Sequence, residues 1–308
     1  MSATRSVYVF GASNVDITGF TKDKLIYKDA NIGYMKTAAG GVGRNIAENL
    51  RKLDFDTCLV SVFGDDPLSH FLMEDCRTKG LDISQSLFLS NQPASSFIAV
   101  MNEENDLAVG ISAMQLYDSL SPEWFIENLP EIPADSYVVL ETNFAEPILQ
   151  AIVDKYPRRK FVLDTVSGMK SLRALPILSH LYMLKTNHIE AAIMSGLPDN
   201  SQADREALVQ HFVDKGVQKV FITLGKDGVI YGDQTGVFHL PAISANVVNT
   251  IGAGDSFVSG LIYADNQNRD LHQAAKYGMA AAAVTVQHNE AVSPAMKPEI
   301  LRKICNNS

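Results

Sequence analysis

Residues 250–261 read TIGAGDSFVSGL, a Gly-Ala-Gly turn followed at once by an aspartate and then by apolar residues at helical spacing. A helix amino terminus leaves several backbone N–H groups without intrahelical partners and carries partial positive charge, so it holds anions well. Gly252 and Gly254, with the small Ala253 between them, let a phosphate approach that backbone closely. Asp255 then has two readings. As an N-cap it needs no chemistry, because aspartate is among the preferred capping residues. As a general base beside an anion hole, it takes the proton of a hydroxyl while that oxygen attacks a phosphoryl group held by the N–H groups. Capping leaves the paired glycines without a purpose, and one residue can serve both roles.

Other polar residues carry similar pairs of readings. Asn187 and Glu190 lie three apart at the start of a helical stretch, which fits a capping pair as well as a shared polar face turned to a ligand. GKDG, residues 225–228, follows an apolar run and has the form of a hairpin turn. Asp16 stands just after the first apolar run, where turn residues are common. Residues 41–47, GVGRNIA, mimic a variant of the dinucleotide fingerprint, but no strong buried strand directly precedes them and the acidic partner downstream is ambiguous. Neither a G-x-x-x-x-G-K-[ST] loop nor a His-Arg-Asp triplet occurs, which excludes P-loop and protein-kinase chemistry.

The elements that must position these residues come from a chain of 308 residues, 46% hydrophobic, long enough to bury a large core. Its net charge of −9 and the lack of a basic run disfavour nucleic-acid binding. Cys58, Cys76 and Cys305 are odd in number and far apart, which suits buried thiols in a reducing compartment better than a disulfide framework or a metal knuckle. The seven histidines are scattered and give no zinc pattern. The amino terminus carries one arginine, Arg5, and an apolar run that stops at Gly11, too short for a signal h-region or a membrane span. A cytoplasmic protein with no membrane partner is expected.

SVYVFGA, TCLVSVFG, YVVLET, KFVLDT, LYMLKT and KVFITLG are compact apolar runs, and helical spacings such as NIAENLRKL, EPILQAIVDKY, DREALVQHFVDKG, DSFVSGLIYADNQN and LHQAAKYGMAAAAVTV lie between them. The alternation predicts an α/β fold with a mostly parallel central sheet flanked by helices. ITGF, IGYMKTA, SSFIAVM and LAVGI break that rhythm, the last two flanking the turn NEEND. They are read as a small β-sheet lid, residues 16–37 and 94–111, on a single domain spanning 1–308; edge decorations of the main sheet are the alternative.

NTIGAGDSFVSG resembles the GAGD signature of the ribokinase-like (PfkB) carbohydrate and nucleoside kinases, and KTAAGGVGRNIAENLRKL resembles that family's amino-terminal glycine-rich signature. GASNVDITGF, KTNHIEA and ITLGKDGV are similar to its first strand with the substrate aspartate, its Asn-x-x-Glu motif and its nucleotide loop. Within the family, GGVGRN together with DTVSGMK and ANVVNTIGAGD is most similar to pseudouridine kinases.

The resemblance implies a ribokinase-like fold with a lid, and ATP-dependent phosphorylation of the 5′-hydroxyl of pseudouridine. It implies Asp255 as base, with the backbone of Gly252, Ala253 and Gly254 as anion hole. Asp16 and Asn45 would hold the ribose, Gly40, Gly41 and Gly43 would bring backbone close to it, and Ser96 would belong to the substrate site. Arg44 is either a solvated cation at a helix start or a substrate contact. Asn187, Thr223, Gly225 and Gly228 would serve ATP, and Asn187 with Glu190 would hold Mg2+ through water. Asn249, where many relatives carry an aspartate, and HNEA at residues 288–291 leave K+ activation open. Ser112 and Ala113 stand where a polar pair is expected for reading the base, so ribose, uridine and adenosine remain alternative acceptors. A homodimer through the lid follows by analogy. A nucleoside-binding protein without catalysis is the alternative of another class, although a pure binder needs no base.

Overall fold

In the computed structural model, which describes residues 6–104 and 106–307, the strands in chain order are β1 (Val7–Phe10), β2 (Asn14–Thr21), β3 (Gly33–Gly40), β4 (Thr57–Val60), β5 (Val62–Phe63), β6 (Leu87–Phe88), β7 (Ser96–Met101), β8 (Leu107–Ala113), β9 (Tyr137–Glu141), β10 (Lys160–Asp164), β11 (Leu181–Asn187), β12 (Lys219–Thr223), β13 (Val229–Asp233) and β14 (Gly236–Leu240). Arg5, and Asn105 in the NEEND turn, lie outside the described residues.

Eight strands form one sheet in the order β14-β13-β12-β11-β10-β9-β1-β4, parallel except where β13 pairs antiparallel with β12 and β14. The apolar runs have this form because the sheet is covered on both faces. Every residue of YVVLE in β9 is buried, with Val138 and Leu140 in one core and Tyr137 and Val139 in the other. One expected strand divides: TCLVSVFG leaves the main sheet at Ser61, where the backbone N–H bonds the Ser86 hydroxyl at 3.0 Å. Its second half, β5, pairs with β6 instead.

The four rhythm-breaking runs form a separate sheet in the order β3-β2-β7-β8, so the edge-decoration alternative falls away. β2 and β3, like β7 and β8, are antiparallel hairpins, and β2 pairs parallel with β7.

Two helices, Val42–Lys52 and Ala253–Asn266, pack against each other on one face of the main sheet, with their amino-terminal ends at the carboxyl ends of the strands. The first sits so close to β1 that a Cβ on Gly43 would lie 2.5 Å from the Gly11 backbone. The second is anchored at its far end by the buried Asp265. Its carboxylate accepts from the hydroxyls of Tyr137 and Tyr182, both at 2.6 Å, from Lys160 at 2.7 Å and from Lys219 at 2.6 Å. Burial pushes its carboxyl upward, but the bonds from Lys160, Lys219 and the two tyrosines hold it well below the usual carboxylate range.

The crossing of Gly43 and Gly11 leaves no room for a methyl group. Gly43→Ala is expected to cost about 1–3 kcal/mol through forced backbone displacement. A urea titration that returns the wild-type midpoint would contradict this packing.

Candidate active site

Asp255 is the third residue of its helix and not the cap. The cap is Gly252, whose φ of 79° is left-handed and where a Cβ would lie 1.9 Å from the Ala291 carbonyl oxygen. No side chain caps this end, so the capping reading of Asp255 is corrected. Its Oδ2 instead accepts from Asn45 Nδ2 at 2.9 Å, across 210 residues of chain. Asp255 is 8% exposed. Burial pushes its carboxyl up to about 7, and the negative charges of Asp164 and, further off, Asp16 add to the push, while Asn45 and Lys185 oppose it.

The turn before Asp255 is built to receive an anion. Ala253 N–H bonds Thr250 O at 3.3 Å and Ser256 N–H starts the helix ladder to Gly252 O, whereas the N–H groups of Gly254 and Asp255 have no protein acceptor among the described residues. A Cβ on Gly254 would meet Lys185 Nζ at 2.5 Å, which puts a buried ammonium against the same turn. Lys185 in turn donates to Asp164 Oδ2 at 3.0 Å. This buried pair was not singled out from the sequence. Its signal was an unexpected lysine in the apolar run LYMLK and an aspartate closing FVLD.

Asp16 and Asn45 both lie near Asp255. Asp16 sits in β2, its Oδ1 accepting from Asn14 Nδ2 at 2.6 Å and its Oδ2 lying 2.1 Å from where a Cβ on Gly40 would stand. Burial raises its carboxyl above the ordinary value, against Asn14 and Arg44. Gly40 thus makes room for a carboxylate, while a Cβ on Gly41, at φ 104°, would meet Ala12 O at 2.2 Å. The chain itself therefore requires these glycines. Glu141, also missed, closes β9 fully buried and accepts from Asn143 N–H at 2.9 Å and Nδ2 at 2.6 Å and from Ala12 N–H. Burial moves its carboxyl up to about 7 against those bonds.

Arg44 is not the solvated cation of the first sequence reading. It is 4% exposed and its guanidinium is held by Glu48 at 2.8 Å and Asp75 at 2.5 Å, so it is buried and paired within the protein. Ser96 lies at the start of β7 in the small sheet. It pairs in register with Val15 and Ala113, on the face of the small sheet opposite to Asp16, whose own row contains Ala38, Phe97 and Ser112.

Asn187 and Glu190 realise the capping pair. Asn187 Oδ1 accepts from Glu190 N–H at 2.9 Å, and Glu190 Oε2 accepts from Asn187 N–H at 3.2 Å and from the hydroxyls of Thr165 and Thr186. Glu190 Oε1 is outside these contacts. Thr223 closes β12 with its hydroxyl on Thr186 O at 3.3 Å, beside the Asn187 turn. Gly225 and Gly228, at φ 61° and 99°, make the tight turn into β13, with open space at Gly225. Asn249 links two segments: Nδ2 donates to Asn289 O at 2.9 Å and Oδ1 accepts from Ile251 N–H at 3.1 Å.

The site thus gathers a buried carboxylate, a helix start with free N–H groups and a buried lysine at the carboxyl ends of a parallel sheet, where α/β folds place ligands. The pfkB family of carbohydrate kinases matches residues 4–298. The chain belongs to that family. This pfkB kinase is 29% identical over 256 residues to the pseudouridine kinase of Escherichia coli (strain K12), covering 83% of this chain and 82% of that one. It is 25% identical over 299 residues to the ribokinase of Staphylococcus aureus (strain COL), covering 94% and 95%. Arabidopsis thaliana ribokinase complexed with ribose and ATP shares the fold, with a TM-score of 0.81 over 99% of this chain and 100% of that one at 19% identity. The chain is accordingly a sugar or nucleoside kinase, a phosphotransferase with an alcohol group as acceptor. Kinases of this family use ATP, with Mg2+ as the usual partner ion.

A buried carboxyl raised to about 7 has a sign-defined effect on stability. Unfolded, Asp255 titrates near ~3.9, so the stability carried by its protonated form is full below that value and is lost as pH rises through about 7. Asp255→Asn stays neutral throughout. Its Tm relative to wild type is expected to climb between pH 4 and pH 8, and a pH-independent difference would refute the raised value.

Proposed function

We propose that this kinase transfers the terminal phosphoryl group of ATP to the 5′-hydroxyl of pseudouridine, giving pseudouridine 5′-phosphate. The observation that carries the reading is Asp255, a buried carboxylate in the first turn of a helix whose Gly254 and Asp255 N–H groups have no acceptor among the described residues, with the Lys185 ammonium packed against Gly254. A carboxyl held near 7 accepts a hydroxyl proton well at neutral pH.

Asp16 and Asn45 bind the ribose hydroxyls, a carboxylate accepting and an amide both giving and taking. The backbone at Gly40, Gly41 and Gly43 runs beside the sugar. Asp255 takes the proton of the attacking hydroxyl, while the N–H groups behind Gly252 and Ala253, with Lys185, hold the charge of the group in transit. Thr223, Gly225, Gly228 and Asn187 line the nucleotide side. Among the described residues no three His, Cys, Asp or Glu side chains gather as a metal cage, a donor set that fits an ion carried mainly by phosphates and water. Asn187 and Glu190 would hold Mg2+ through water, and the ion would supply neutralisation of the phosphate charge. The small sheet acts as a lid that excludes water from the transfer.

Similarity to the Escherichia coli pseudouridine kinase supports the acceptor, and Phe97 and Ser112, on the face of the lid that carries Asp16, are the side chains placed to meet the base. A second reading, another ribosyl acceptor, is favoured by Ala113, which lies on the opposite face and cannot read the base with Ser112. Met35, Ile98, Val109 and Ile111 form an exposed apolar patch on that opposite face, which supports a homodimer through the lid. No described helix is long and apolar enough to cross a membrane, and the proposed setting is the cytoplasm.

Asp255→Ala is expected to lower kcat roughly 10²–10⁴-fold; wild-type turnover in this variant would end the assignment. ADP release with magnesium-ATP, with and without potassium, is expected to rank pseudouridine above uridine, adenosine and ribose. Preference for another member keeps the chemistry and moves the acceptor, whereas silence on all four favours a binding protein. Sedimentation at micromolar concentration is expected to show a dimer that Ile111→Lys splits into monomers.

A further inference from the structure

Arg44 holds its guanidinium in a clamp between two helices. Nε and Nη2 donate to Asp75 Oδ2 at 3.0 and 2.5 Å, and Nη2 donates to Glu48 Oε2 at 2.8 Å. Asp75 belongs to the helix Pro67–Thr78 and Glu48 to the helix Val42–Lys52, so the planar group is fixed in orientation as well as position. Lys52 and Lys79 approach the outer oxygen of Glu48 at 4.0 and 3.8 Å and balance its charge. One donor remains: Nη1 points at Asn45 Oδ1, 3.0 Å away. The other end of the same amide, Nδ2, donates to Asp255 Oδ2.

We propose that Arg44 is a positioning residue: it locks the Asn45 amide with its nitrogen toward Asp255, and so keeps Asp255 facing a donor that favours the ionised, proton-accepting carboxylate. The inference rests on the reading of Asp255 as the base. An amide has two orientations that differ only in which end is donor. With Arg44 present, the flipped form sets donor against donor at the guanidinium and acceptor against acceptor at the ionised aspartate, so it is excluded at both ends. With a donor missing at position 44, the flipped amide becomes compatible with a protonated Asp255, whose O–H can donate to the amide oxygen. Removing the guanidinium therefore shifts Asp255 toward its protonated state. The charged groups around Asp255 are Asp164, Lys185 and Asp16, and the bond from Asn45 is one of two influences that favour its anion.

Arg44→Lys is the informative substitution because it keeps the positive charge felt by Asp16, Glu48 and Asp75. A single ammonium cannot stand at all the points that three guanidinium nitrogens occupy. With magnesium-ATP and the preferred acceptor of the panel, the acidic limb of the kcat/KM profile is expected to move up by about one pH unit. Activity then falls more at pH 6 than at pH 9. Asn45→Ala moves the limb in the same direction, and adding Arg44→Lys to it produces no further shift. Should Arg44→Lys fail to fold, Asp75→Asn, at the more exposed anchor, is expected to give a smaller shift of the same sign.

An unmoved limb in the folded variant, or a full additional shift in the Asn45→Ala background, overturns the positioning role. Failure of the underlying reading looks different: Asp255→Ala then retains turnover, or the wild type shows no acidic limb at all. A purely structural Arg44 would lower the amount of active protein at every pH and leave the profile's shape unchanged.

Discussion

A carboxylate taken out of water at the start of a helix persists as an anion only where donors or positive charges are held near it, and those of Asp255 come from remote parts of the chain. Asn45 arrives on the helix that follows the glycine-rich segment, and Lys185 arrives at the end of β11. Burial and the neighbouring Asp164 push the carboxyl up, and the Asn45 bond and the Lys185 charge pull it back, leaving it at about 7. Burial is the largest of these influences, and the bond and the charge offset only part of it. A base that was fully desolvated and unpaired would stay protonated, and one paired as tightly as a structural ion pair would hold no affinity for a proton.

The helix carrying Asp255 shows both outcomes at its two ends. Asp265 near its carboxyl end takes bonds from two lysines and two tyrosines and is held low, so it stays charged and fastens the helix to the starts of β9, β10, β11 and β12. Asp255 has one amide donor and a lysine shared with Asp164, and is held high. Rigidity at one end allows the other to keep a carboxylate that the fold does not stabilise. Such sites usually cost stability where they gain reactivity.

The small sheet divides its labour by face. Register places Asp16, Phe97 and Ser112 together on one side and Ile98, Ile111, Val109 and Met35 together on the other. The strict alternation of a β-strand makes this division unavoidable once the pairing is set, and a shift of one residue would exchange the two faces.

Apolar runs and helical spacings made the parallel sheet, its helical layers and the separate four-stranded sheet readable from the chain alone, because those patterns are local consequences of burial on one or both faces. The GAGD turn and the Asn-x-x-Glu spacing were equally legible, since caps and glycine turns are written over a few residues. The burial and pairing of Arg44 were not legible because its partners, Glu48 and Asp75, become its environment only when two helices pack. The face that Ser96 joins was not legible because register depends on β2, a strand distant in the chain. The Lys185–Asp164 pair and the near-neutral carboxyl of Asp255 belong to no segment. The sequence determined which elements form and which residues stand at their ends; tertiary packing alone decided which of those ends meet, because desolvation and charge act through space and are set only when the distant strands and helices close around one point.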